Sequence, residues 1–250
     1  MDLALEHFLG SEEFVKRIYD VIEQMERQKR ILTTHFLTPS EALIVERICG
    51  NTIRYIKDGG YENAQRVRMM FTPYESEETI PISIVKASYN PNFGSLDHRD
   101  FLGALMNIGL EREKIGDLLI IEHDLYAICC QDVENYICCN LTKIKRTKVN
   151  FKAVEEKLVY EEKRNYIQKN VTSLRLDSIV AAITNLSRAK AQDLIREKSV
   201  KVNHLVLEQI SYLCNNNSTI SIRGYGRFVF TKVLKKTKKE RFVIEIGVVQ

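Results

Sequence analysis

No run of 18 apolar residues occurs in the 250-residue chain, so no segment reads as a membrane-spanning helix. Positive charge is missing from the first ten residues, MDLALEHFLG, where a signal peptide needs it; a cytoplasmic protein is expected. The C-x-x-C spacing of a zinc knuckle is missing too. The six cysteines fall as two adjacent pairs, Cys129-Cys130 and Cys138-Cys139, with Cys49 and Cys214 alone. Neighbouring cysteines point in different directions, which suits packing better than chelation, so buried, reduced thiols are expected. His7, His35, His123 and His204 have no ligand spacing. The sequence shows no phosphate-cradling glycine loop and no Ser-His-Asp or Cys-His arrangement. No cofactor, no metal and no enzymatic activity are expected.

What is present is a globular composition, 44% hydrophobic and 28% charged, with length for two or three domains. The net charge of +4 hides an asymmetry. Residues 173–250 hold 14 Lys+Arg against 6 Asp+Glu, a local charge of +8, whereas residues 1–172 hold 23 against 27. Charge gathered at one end is the electrostatic pattern of a nucleic-acid binder with a dedicated domain.

The predicted fold class is α+β. Residues 1–78 read as a helix-rich domain. Phe14, Ile18, Val21, Ile22 and Met25 mark one helix face, and Thr38-Pro39-Ser40-Glu41 is a capping box ahead of a second helix ending near Gly50. Asp58-Gly59-Gly60 marks a turn, and nothing in residues 1–75 reads as a site. Residues 79–151 read as a ferredoxin-like βαββαβ domain. Its strands are expected at Ile80–Tyr89, Asp117–Glu122, Leu125–Cys130 and Leu141–Phe151, its helices at Asp97–Ile108 and Asp132–Cys139. Residues 152–170, rich in Glu and Lys, read as a helical connector. Residues 171–250 read as two short helices, on Leu176–Ile183 and after Ser187, followed by strands at Val200–Val202, Thr219–Arg223, Arg227–Thr231 and Arg241–Ile246. Arg188 and Lys190 fall in the first turn of the second helix, where cations oppose the dipole and a bound phosphate would reverse the sign.

Leu174-Arg175-Leu176-Asp177, Ser187-Arg188-Ala189-Lys190-Ala191 and Val200-Lys201-Val202-Asn203 resemble the RNA-binding module of ribosomal small-subunit protein four, the S-four module. Ser199 stands where a glycine is usual, and Asn217-Ser218 where Gly-Asp is usual; both departures concern turns. Phe36-Leu37-Thr38-Pro39, Gly59-Gly60-Tyr61-Glu62, Asp100–Met106, Glu113-Lys114-Ile115-Gly116-Asp117 and Asn140-Leu141-Thr142-Lys143 resemble the bacterial YlmH family over nearly the whole length. Proteins of that family look like translation factors encoded near cell-division genes. The resemblance implies structured RNA as partner, namely ribosomal RNA and peptidyl-tRNA on the large ribosomal subunit, in ribosome-associated quality control. Carried over by position, it implies RNA contacts at Arg175, Ser187, Arg188 and Lys190, with Lys201 and Asn203 nearby; Arg223 and Arg227 sit on the candidate sheet edge. Asp177 is expected to orient Arg175 or cap the helix, since RNA would repel it. Lys143–Lys148, four cations with no acid, either extends this surface or is a solvated charge run.

Arg223–Phe230 resembles the aromatic octapeptide of RNA-recognition motifs but falls some 70 residues after the βαββαβ domain, so it reads as a glycine-containing turn into a strand with Phe228 and Phe230 on one face. His98-Arg99-Asp100 has the letters of a kinase catalytic loop, but Leu105 replaces the required asparagine and the segment reads as a helix start. A pseudouridine synthase is the enzymatic rival, because Arg175-Leu176-Asp177 shares letters with its catalytic motif. A cell-division adaptor with incidental RNA binding is the third class. The oligomeric state stays open.

Overall fold

The computed structural model describes residues 11–91, 94–155, 158–160, 162, 164–237 and 240–249. The acidic decapeptide, with His7, lies outside them. The chain divides into two compact units, residues 1–160 and 161–250. No helix among the described residues is long and apolar enough to cross a membrane.

In the first unit, α1 (Glu12–Gln28) opens on two acids, carries Arg27 in its last turn and buries Val15, Ile18, Ile22 and Met25. A short strand β1 (Leu32–Thr33) leads to α2 (Pro39–Cys49), started by the expected capping box: Thr38 N–H donates to the Glu41 carboxylate at 2.7 Å, and Thr38 Oγ1 accepts from Glu41 N–H. Strands β2 (Tyr55–Asp58) and β3 (Arg68–Phe71) complete an antiparallel sheet in the order β1-β3-β2. No strand is predicted here. β1 is too short to carry a pattern, and β3 is buried at all four positions, so it has no alternation to read.

Next come β4 (Ile82–Ser88), α3 (His98–Asn107), β5 (Ile115–Ile121), β6 (Asp124–Cys130) and α4 (Glu134–Asn140). Asp97 caps α3 reciprocally with Asp100, which explains His98-Arg99-Asp100 as a helix start. The last predicted strand, Leu141–Phe151, is corrected. Its first part is a separate hairpin, β7 (Lys143–Ile144) with β8 (Thr147–Lys148), and the sheet strand is β9 (Lys152–Val154). The alternation holds only from Thr147 to Phe151; before it every third residue is buried, Leu141, Ile144 and Thr147, and Lys145 turns the chain at φ 51°. The four-stranded sheet runs β5-β6-β4-β9, antiparallel throughout, which is the ferredoxin-like arrangement.

Helices α3 and α4 cover one face of this sheet, with Phe101, Leu105 and Ile137 fully buried against Val85, Ile115 and Leu125. The other face is covered as well. Ile84, Leu119 and Ile128 lie beneath Phe36, Tyr61, Leu158 and Tyr160. The approach is close: a Cβ on Gly116 would sit 2.7 Å from the Phe36 ring, and one on Gly60 3.0 Å from Ile128. Gly60 also has φ 87°, which a side chain would strain. Asp117 then ties the region together, accepting from Tyr61 O–H at 2.8 Å, Gln65 N–H at 2.6 Å and Arg66 N–H at 3.2 Å. Residues on both sides of position 78 therefore share one compact unit.

The second unit opens on β10 (Arg164–Val171), which corrects the helical connector predicted over 152–170: the described part of that stretch contains β9 and β10 and no helix. β10 is an edge strand whose side chains are mostly exposed, so it lacks the apolar alternation that marks a strand. Helices α5 (Leu176–Thr184) and α6 (Arg188–Arg196) follow, then β11 (Val200–Val202), β12 (Leu205–Val206), β13 (Ser218–Ile222), β14 (Gly226–Lys236) and β15 (Phe242–Val249). The antiparallel sheet has six strands in the order β10-β15-β14-β13-β11-β12. Ile179, Val180 and Ile195 of the helices meet Val200, Ile220 and Phe230 of the sheet in the core. Phe228 and Phe230 share that face, as predicted. Of the thiols, Cys49, Cys129, Cys130 and Cys214 are buried and Cys138 partly so; Cys139 is exposed, contrary to the packing expectation.

Candidate nucleic-acid interface

The centre of the candidate interface is a carboxylate. Arg175 is the N-cap residue of α5, in extended backbone at φ −70°, ψ 146°, without a capping side-chain bond. The segment around it is held by Leu176 N–H to Tyr212 O at 2.8 Å and Cys214 N–H to Leu174 O at 3.0 Å. Two residues on, Asp177 has a side chain that is 0% exposed. It would be an unpaired buried charge but for three partners. Arg188 Nε and Nη2 donate to it at 2.9 and 3.2 Å, Arg175 Nε and Nη2 at 3.2 and 3.4 Å, and Gln192 Nε2 at 2.9 Å. Burial alone would push the Asp177 carboxyl up; the bonds from Arg188, Gln192 and Arg175 outweigh it and hold it down at about 2.

Both guanidinium groups bond the carboxylate along one edge only. Each has five N–H donors, so each keeps an edge free for a second bidentate acceptor such as phosphate. Those edges have access to solvent, with side-chain exposures of 38% for Arg175 and 48% for Arg188. Asp177 thus brings two arginines from different helices into one fixed pair.

Ser187 caps α6, its Oγ accepting from Lys190 N–H at 3.3 Å. Ser187, Arg188 and Lys190 are exposed at this helix start, where backbone N–H groups and the dipole favour an anion. The other predicted contacts lie elsewhere. Lys201 pairs with Ser221 and Ser221 with Arg227, so the three stand in one row. Val200, Val202, Ile222 and Phe228, which alternate with them, belong to the core under the helices. The Lys201 row therefore faces away from α5 and α6. Arg227 in that row is ion-paired with Glu162, which also holds Arg164 at 3.2 Å. Asn203 and His204, at φ 47° and 69°, form the two-residue turn between β11 and β12, and Asn203 Oδ1 accepts from Thr219 N–H at 2.9 Å. Asn203 thus has a structural duty the sequence did not reveal. Arg223 is exposed at the start of the turn into β14.

The sequence reading missed Gln192 and assigned Asp177 to Arg175 or a cap. The position of Gln192 was available: it lies one helical turn beyond Arg188, on the same face.

Two short helices packed on a small antiparallel sheet are the architecture of an S4-type domain. The S4 domain model matches residues 174–220. The model of the YlmH N-terminal region matches residues 10–76, and that of the domain in YlmH to which RNA binding is ascribed matches residues 75–157. The chain is 33% identical over 249 residues to "Ribosome-associated protein quality control protein P2" of Bacillus subtilis (strain 168), with 95% of each chain covered. It belongs to the YlmH family. The solved structure of cell division protein YlmH from Streptococcus pneumoniae shares its fold with a TM-score of 0.52 at 22% identity, covering 58% of this chain and 92% of that one.

Proposed function

We propose that the protein is a non-enzymatic factor that grips structured RNA, ribosomal RNA and peptidyl-tRNA on the large ribosomal subunit, in ribosome-associated quality control. The observation that carries the RNA reading is the arginine pair held by Asp177. Two guanidinium groups with free bidentate edges fit two phosphate groups, and the exposed helix start beside Ser187 and Lys190 favours a further anion. The ribosomal setting is drawn from the name of the Bacillus subtilis relative.

Arg175, Ser187, Arg188 and Lys190 form the proposed contact surface. Lys201 and Arg223 are exposed cations outside that surface, Lys201 on the sheet face turned away from α5 and α6, and Arg227 and Asn203 serve chiefly the fold. A binding role fits Asp177 better than the pseudouridine-synthase alternative does. A catalytic carboxylate has to reach its substrate, and this one is fully buried and bonded to three side chains. Cytoplasmic residence is part of the proposal, since that is where ribosomes translate.

Two experiments test it. Arg175→Ala and Arg188→Ala, in the full chain, each remove a charge-assisted contact of about 1.5–3 kcal/mol and are expected to weaken binding to ribosomal RNA or tRNA accordingly. Affinity unchanged in both variants removes the site. Nucleoside mass spectrometry of RNA from cells with and without the gene tests the absence of chemistry: a modification that vanishes with the gene, and returns with pure protein in vitro, replaces the binding factor with an enzyme.

A further inference from the structure

RNA binding is ascribed to the family domain that residues 75–157 match. Domains of βαββαβ topology commonly read RNA on the open sheet face, by stacking bases on aromatic side chains. That face is closed here by Phe36, Tyr61, Leu158 and Tyr160, with Gly60 and Gly116 in direct contact distance. An RNA surface on this unit has to lie elsewhere.

The unit is acidic: residues 1–160 hold 20 Lys+Arg and 25 Asp+Glu. Yet Lys143, Lys145, Arg146 and Lys148 are four cations within six residues that contain no acid. They form the β7–β8 hairpin, and all four are exposed. The hairpin is pinned from below, with Ile144 at 0% and Thr147 at 3% exposure and Leu141, Val149 and Phe151 buried at its flanks. Its cations are therefore displayed on a fixed support.

Two features make the display unfavourable without an anion. Lys143 and Lys148 are direct cross-strand partners, where like charges repel. Among the described residues, Lys143, Arg146 and Lys148 have no ion pair; only Lys145 does, with Asp100 at 2.6 Å. A phosphate backbone relieves all of the repulsion at once.

We infer that the β7–β8 hairpin is a second RNA-contacting surface, which grips phosphates through Lys143, Arg146 and Lys148. The inference rests on the RNA-binding reading proposed above. It assigns the RNA contact of the central domain to a hairpin and not to its sheet face. The hairpin carries no aromatic side chain, so the contact is to backbone and shape, not to base identity.

The test uses the full chain and a tRNA transcript. Lys143→Gln, Arg146→Gln and Lys148→Gln are combined, leaving the Lys145–Asp100 pair intact. Three lost phosphate contacts flatten the slope of log affinity against log salt by about 2 to 3. The melting temperature stays level or rises, because the repelling pair is gone. A wild-type slope in this variant, alongside a flattened one in Arg175→Ala/Arg188→Ala, overturns the hairpin and leaves the proposed function standing. No tRNA binding by the wild type overturns both. Photocrosslinking of wild-type protein to the same RNA keeps the question decidable if the triple variant misfolds: adducts within residues 143–148 support the hairpin, and adducts confined to residues 161–250 overturn it.

Discussion

Replacing Asp177 by asparagine separates the positioning of arginines from the summing of charge, because the two predict opposite signs. Asparagine has the shape of aspartate, but it removes one negative charge from the surface that is to meet RNA. If charge alone governed binding, the variant would bind more tightly. A unit charge about 6 Å from a phosphate in water is worth about 0.7 kcal/mol, less once salt screens it. The structure gives a larger opposing quantity. Asp177 receives five donor contacts from Arg175, Arg188 and Gln192, and the two arginines depend on it for their orientation. Re-ordering a freed side chain on binding costs about 0.5–1.5 kcal/mol, and two are freed. The balance is weaker binding, by a factor between about 2 and 50. Stability falls in parallel. A carboxyl held near 2 when folded contributes about 2–3 kcal/mol at neutral pH, and an asparagine oxygen retains part of that. A net loss of about 2 kcal/mol lowers the melting temperature by about 4–8 °C for a chain of this size melting cooperatively. Fluorescence anisotropy with a labelled ribosomal RNA hairpin, below the melting range, reads the first effect, and calorimetry the second. Equal or tighter binding with an unchanged melting temperature refutes the positioning argument.

Because the folded Asp177 carboxyl lies below its ordinary value, its contribution is complete above about pH 4 and is lost as pH falls toward 2; melting curves of wild type and Asp177→Asn are therefore expected to converge over that window, and parallel curves would contradict it. Gly116→Ala places a Cβ 2.7 Å from the buried Phe36 ring, so overpacking is expected to destabilise the first unit by about 1–3 kcal/mol without changing the affinity of the Arg175 surface for RNA, measured by urea titration and anisotropy. Burial pushes the thiols of Cys129 and Cys214 up to about 12, so alkylation of native protein at neutral pH is expected to label exposed Cys139 first and those two last, as read by peptide mass spectrometry.

The residues differ in how much of this was legible beforehand, and the reason is physical. Helix starts were legible because a cap is a local event. Thr38 with Glu41 and Ser187 with Lys190 satisfy backbone groups three residues away, within one reading window. Amphipathic faces such as Leu176, Ile179, Val180 and Ile183 were legible for the same reason. Strands defeated the reading at both extremes of burial. β3 is buried throughout, and β10 is largely exposed with Lys169 at a less exposed position between Ile167 and Val171, so neither shows a period-two apolar pattern. The turn at Lys145 was illegible because a lysine there carries no turn signal. In the candidate site, the positions of Arg175 and Arg188 were legible through motif letters. Their joining through Asp177 spans eleven residues and two helices, so it exists only in the folded unit. Arg227 was misleading because its partner, Glu162, lies sixty-five residues earlier.

A buried acid at the heart of a cationic surface serves a purpose when the ligand is structured. A flexible cation meets a phosphate anywhere along an RNA strand, and a mobile lysine is adequate for that. Recognition of a folded RNA depends on the spacing between phosphates, so cations have to be held at fixed separations before binding. Arginine permits this and lysine does not, because one guanidinium can bond a carboxylate along one edge and a phosphate along another. Asp177 exploits that property twice, with arginines from two helices. The β7–β8 hairpin fixes only the backbone beneath its cations, through a buried Ile144 and Thr147 under short strands that display point charges. The first arrangement gives directional contacts at defined positions, and the second gives a local field with less angular demand. A factor that grips structured RNA gains from having both. Under the proposed function, directional contacts would set the register on one RNA element, and the hairpin's field would add affinity without constraining sequence.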